Sequence, residues 1–131
     1  MSAPKDYCFA RNLLFCDVYG NVENLILPSG EIPTRCMEYL FFGDHYLSTG
    51  PALQAGTYYN AACRNMFYDC PRLQSLTAYF TSWGSYNAFD IWLNSVQNGG
   101  IFYCPTALGT NETITRGTSN CPNNWTVVNI D

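Results

Sequence analysis

Short runs of alternating apolar and polar residues, broken by turn signals, set the pattern of this chain. The clearest run is residues 75–104. Leu76, Ala78 and Phe80 alternate there with Thr77, Tyr79 and Thr81, and Trp83-Gly84-Ser85 turns the chain. Residues 86–96 follow. A two-residue period puts Phe89, Ile91 and Leu93 on one face and Tyr86, Ala88, Asp90, Trp92 and Asn94 on the other. Asn98-Gly99-Gly100 supplies the next turn, and residues 101–104 return, which predicts a three-strand meander.

Elsewhere the same reading gives a hairpin, residues 13–19 and 22–27, turning at Gly20-Asn21. It gives further strands at 36–42 and 125–130. Leu53-Gln-Ala-Gly56-Thr-Tyr58 reads as a turn entering a strand, and residues 60–72 are the least strand-like and could hold a short helix. Turn signals recur every 8 to 15 residues, and no internal repeat is evident. The expectation is one all-β domain over residues 1–131: a disulfide-stapled, antiparallel, jelly-roll-like β-sandwich of about eight strands.

Charge narrows the function classes. Charged residues are 12% of the 131 positions, against roughly 25% in average proteins, and the net charge is −4. Lys5 is the only lysine, and Arg11, Arg35, Arg64, Arg72 and Arg116 are scattered. Nucleic-acid binding needs clustered cations, so it is not expected. No run approaches the roughly 18 apolar residues of a membrane span, so membrane insertion is not expected either. The surface must be solvated by uncharged polar groups, with 10 tyrosines among the 16% aromatic residues, as in secreted binding modules.

Seven cysteines suggest a compartment. None is spaced C-x-x-C and His45 is the only histidine, so neither zinc nor a thioredoxin-type redox site is indicated. The remaining reading is a disulfide framework in an oxidising, extracellular setting. Cys63 with Cys70, and Cys104 with Cys121, bracket loops and are the pairing candidates. Cys8 and Cys16 can pair only if Arg11-Asn12 turns the chain. An odd cysteine is left over, either a buried free thiol or a point of intermolecular linkage. Cys63-x6-Cys70-Pro71, with Cys104 some thirty residues on, is similar to a spacing in the MD-2-related lipid-recognition family. The extra N-terminal cysteines and the tail after Cys104 depart from that family's pattern.

Catalytic signals are sparse. His45 follows Asp44, but no G-x-S-x-G elbow, Gly-rich phosphate loop, EF-hand or H-E-x-x-H motif is present. Glu31, Glu38, Asp69 and Asp90 are the carboxylates a small secreted hydrolase would have to use. No catalytic residue, metal or cofactor is therefore assigned. Asn111 and Asn124 open N-x-[ST] sequons and are glycosylation candidates, although two such sites are what chance provides. The strongest binding candidates are Trp83, Tyr86, Asp90, Trp92 and Asn94, because rings stack on sugars while Asn and Asp exchange hydrogen bonds with hydroxyls. The expected function is a secreted, non-catalytic recognition or adhesion module for a glycan or a cell-surface protein. The alternatives are a structural subunit of an extracellular assembly, self-associating through an edge strand or the odd cysteine, and a carrier of a small apolar ligand between the sheets.

Overall fold

In the computed structural model, residues 20–22 and 25–131 are described. Seven short strands occur: β1 (Gly20–Asn21), β2 (Gly30–Ile32), β3 (Leu47–Thr49), β4 (Gly56–Tyr58), β5 (Ser75–Thr77), β6 (Ile101–Cys104) and β7 (Thr126–Asn129). They form a five-stranded sheet, β1-β3-β5-β6-β7, and a two-stranded sheet, β2-β4. Every pairing is parallel. The register shows the reason: Gly30 lies beside Gly56 and Ser75 beside Ile101, each 26 residues on, and Ile101 beside Thr126, 25 residues on. The chain is a solenoid, each coil stacking on the last, and not an antiparallel sandwich.

Several expectations are corrected here. Gly20-Asn21 is a strand paired with β3, not a hairpin turn. Residues 75–104 are not a meander, because β5 and β6 are parallel neighbours and residues 86–95 are consecutive turns. Residues 60–69 are turns too, with no helix. The proposed strand 13–19, Cys8 and Cys16 lie outside the described residues.

The third stretch of each coil explains the misreading. Positive φ recurs at every fourth residue: Arg35, Tyr39 and Gly43, then Ala61, Asn65 and Asp69, then Asn87, Ile91 and Ser95. Each such residue sets the next turn, so side chains fall two inward and two outward. Met37, Leu40 and Phe41 point in, as do Cys63, Met66 and Phe67, and then Phe89, Trp92 and Leu93. Residues 26 apart stack: Phe41 lies 5.5 Å from Phe67 with rings nearly parallel, and Phe42 lies 5.4 Å from Tyr68 in the same way. The repeat therefore exists in backbone and burial, while most of the side chains filling it change from coil to coil.

Hydrogen bonds between these turn stacks run one way. Met37, Tyr39 and Phe41 N–H donate to the carbonyls of Ala62, Arg64 and Met66. Cys63, Asn65 and Phe67 N–H donate to those of Ala88, Asp90 and Trp92. The alternate N–H groups close local turns, as Ala88 does on Ser85 and Asp90 on Asn87. Each turn stack thus presents N–H donors along its leading edge and accepts along its trailing edge.

No disulfide joins any two described cysteines, which overturns the predicted bridges. Cys63, Cys70, Cys104 and Cys121 are free, buried thiols, whereas Cys36 is disulfide-bonded. The four thiols behave as small core residues. Cys70 Sγ donates to the Phe41 carbonyl at 3.1 Å and Cys104 Sγ to that of Gly109 at 3.6 Å. Burial pushes Cys70 up to about 12 and Cys104 and Cys121 up to about 11, and it raises Cys63 also, so these sulfurs stay protonated and unreactive near neutral pH.

Beyond β6 the turn stack stops. Residues 105–123 fold over the end of the solenoid, tied down by Arg116. Its Nη1 donates to the carbonyls of Pro122 (3.0 Å) and Trp125 (2.8 Å), and its Nη2 to the carbonyl and Oδ1 of Asn111 (2.9 and 3.0 Å). Asn111 Oδ1 also accepts from Val127 N–H at 2.9 Å, covering one donor on the free edge of β7. This is the work a terminal cap does for a stacked fold.

Candidate functional site

The site follows from where the stacking ends. Asn87, Phe89, Ile91, Leu93 and Ser95 occupy the places that donate to a following coil, but the 105–123 loop reaches only the middle of this row. Ile91 N–H donates to Ser119 Oγ at 3.0 Å and Leu93 N–H to the Thr118 carbonyl at 3.3 Å. Among the described residues, nothing accepts from the N–H groups of Asn87, Phe89 or Ser95. Two openings flank the clamp. One, of about 260 Å³, is bordered by Trp83, Tyr86, Asn87, Phe89, Asp90 and Asn120. The other, of about 180 Å³, is bordered by Asn94, Ser95, Val96, Asn98, Pro122 and Asn124. Both are smaller than the roughly 300–1,000 Å³ of drug-sized sites and suit single sugar-sized groups.

Local chemistry builds the larger opening. Gly84 has φ +73, and a Cβ there would run into the Tyr58 carbonyl, so glycine is required for the corner that presents Trp83 and Tyr86. Asn87 tolerates its positive φ through its short polar side chain. Ile91 does not: a β-branched residue at φ 42 is strained, and it sits at the clamp between the two openings. Tyr86 is 83% exposed. Asp90, 3.8 Å from Arg64 Nε, lies on the same rim. Trp83 Nε1 is buried with no hydrogen-bond partner among the described residues.

Four of the five predicted binding residues meet along this edge: Trp83, Tyr86 and Asp90 at the larger opening and Asn94 at the smaller. Trp92 does not join them. It is fully buried, 4.7 Å from the Phe89 ring and 6.1 Å from that of Trp83, and its Nε1 donates inward to the Asn120 carbonyl at 2.9 Å. The two faces drawn for a strand over residues 86–96 are replaced by the two-in, two-out rhythm, which takes Trp92 inside with Phe89. It supports the loop behind the site rather than touching a ligand.

No protein-family model matches this chain, and no curated protein or solved structure is significantly similar to it.

The other predicted positions lie elsewhere. His45 Nε2 is 3.3 Å from Asp69 Oδ2 on the exposed side of an earlier coil, and Asp44 is buried, accepting from Tyr46 N–H at 3.2 Å. Asn111 is held in the cap, while Asn124 Nδ2 donates to Asn98 Oδ1 at 2.7 Å on the wall of the smaller opening. Among the described residues no cluster of three metal-ligating side chains occurs, and no helix is long and apolar enough to cross a membrane. The open backbone donors were invisible to sequence reading, because an N–H carries no residue signature. The one signal available was the failure of the two-in, two-out pattern after Val96.

Proposed function

We propose that this protein is a non-catalytic recognition module that binds a neutral glycan at the opening beside Tyr86. The observation carrying this reading is the edge of unpaired donors. The N–H groups of Asn87 and Phe89 have no protein acceptor among the described residues and border the opening, so a ligand bringing hydroxyl oxygens there exchanges water for direct hydrogen bonds, each contributing about 0.5–1.5 kcal/mol. Tyr86 offers an exposed ring on which a pyranose can lie, and Asp90 accepts from hydroxyl donors. Asp90 is paired with Arg64 at 3.8 Å and no cationic side chain lines this opening, so an acidic sugar finds no dedicated partner there.

The rim supplies a single carboxylate, whereas glycoside hydrolysis calls for two flanking the scissile bond, so binding is favoured over turnover. An apolar cargo is disfavoured by the interior, where Phe67, Phe80, Phe89, Trp92 and Phe102 pack against one another. The scarcity of charge and the Tyr- and Asn-rich surface support an extracellular setting. Glycan-array binding of wild type and Tyr86→Ala tests the reading. Loss of roughly thirtyfold in affinity is expected from removing a hot-spot ring worth about 2 kcal/mol, with an unchanged melting temperature because Tyr86 is exposed. Equal binding by both proteins removes Tyr86 from the site.

A further inference from the structure

We infer that the smaller opening is a second subsite, built for the acetamido group of a sugar adjoining the one at Tyr86, so that the ligand is an oligosaccharide containing N-acetylhexosamine. This rests on the glycan reading above and names its ligand class.

The two openings lie on one coil edge, separated by the clamp of Ser119 and Thr118 on Ile91 and Leu93. Both openings border the same turn stack, one at residues 86–90 and the other at 93–96, which makes the second the place where a longer oligosaccharide lying along this edge from Tyr86 would be held. Its walls carry no charged side chain. A carboxylate, sulfate or phosphate would find no cation there. An acetamido group needs three things: a donor for its carbonyl, an acceptor for its N–H, and an apolar surface for its methyl. Ser95 N–H is an open donor among the described residues. Asn124 Nδ2 donates to Asn98 Oδ1 at 2.7 Å, and in this arrangement Asn98 Nδ2 is a second donor and Asn124 Oδ1 the acceptor. Val96 and Pro122, both largely shielded from solvent, offer the apolar surface. A plain hydroxyl in the same place satisfies fewer of these groups and leaves the methyl surface uncovered.

Two trisaccharides with the same β-1,4 glucopyranose backbone separate the possibilities: N-acetylchitotriose, with an acetamido group on every ring, and cellotriose, with hydroxyls instead. Titration calorimetry uses the full chain with Asn124 unmodified, since a glycan on its Nδ2 would fill this wall. The expected result is N-acetylchitotriose binding about tenfold tighter than cellotriose. Asn98→Asp keeps the shape and the acceptor for Asn124 but replaces the donor amide by a carboxylate. It should erase the tenfold preference, with the melting temperature as the folding control. Equal affinity for the two sugars in wild type, or a preference that survives Asn98→Asp, overturns the second subsite while cellotriose binding that depends on Tyr86 upholds the first. Binding of neither sugar overturns both.

Discussion

Replacing Trp92 by alanine should cost about 3–5 kcal/mol of stability, the range for removing a large aromatic from a packed core. Trp92 is fully buried, with the Phe67, Phe89 and Phe102 rings 6.0, 4.7 and 6.4 Å away. Neighbours on three coils cannot all close on the space it would leave. Its Nε1 also holds the Asn120 carbonyl at 2.9 Å, on the loop that borders the ligand opening. Trp92→Phe separates the two effects. It keeps most of the packing, should cost about half as much, and still frees Asn120 from its anchor. Denaturant unfolding followed by fluorescence measures both variants. A loss under 1 kcal/mol for Trp92→Ala would mean the ring is not in the core.

The second large effect is expected at Arg116, a residue with no assigned chemistry. Its guanidinium gathers the carbonyls of Asn111, Pro122 and Trp125 into one cap over the last coil. Pro122 and Trp125 are buried, so truncation leaves acceptors that water reaches poorly. Hydrogen bonds to charged groups contribute about 1.5–3 kcal/mol, and several are lost together, so Arg116→Ala should cost about 3 kcal/mol. Arg116→Lys should recover only part of that, because an ammonium cannot reproduce the two-pronged reach of a planar guanidinium. The same variant should weaken glycan binding, since residues 117–124 contribute to the walls of both openings. Thermal unfolding with and without ligand checks both consequences. An unchanged melting temperature would show that the cap is not held by Arg116.

The corners of the fold were legible in the sequence and the direction of its strands was not. Gly84 and Gly99 mark turns with positive φ, and residues 75–77, 101–104 and 126–129 are strands, although the strand expected at 36–42 is a run of turns. Yet a punctuated rhythm of short strands is produced equally by hairpins and by stacked coils. What distinguishes them is a long-period repeat, and here that repeat is carried by burial at 37/63/89 and 40/66/92, filled by Met, Cys, Phe, Leu, Met and Trp. Identity recurs at only a few of the stacked positions, such as Phe41 and Phe67 or Gly30 and Gly56, too few to announce it. The four-residue rhythm of the turn stacks lies between strand and helix periods. The sequence pattern accordingly predicts a strand over 86–96 and a short helix within 60–72, although residues 86–95 and 60–69 form the same kind of turn stack. For the candidate site, the outward residues Trp83, Tyr86, Asp90 and Asn94 could be recognised by chemical type. Trp92 could not be placed by type alone, because an inward tryptophan and a binding tryptophan look the same until the backbone period is known.

The open donor edge is the centre of this account, and backbone amide signals report on it directly. In a titration of isotopically labelled protein with N-acetylchitotriose, the amides of Asn87, Phe89 and Ser95 should shift most, together with the side-chain amides of Asn98 and Asn124. Those of Cys63, Asn65 and Phe67, which already donate to the next coil, should stay in place. Shifts confined to another face, or amides at 87, 89 and 95 that are protected from exchange and unmoved by ligand, would contradict it.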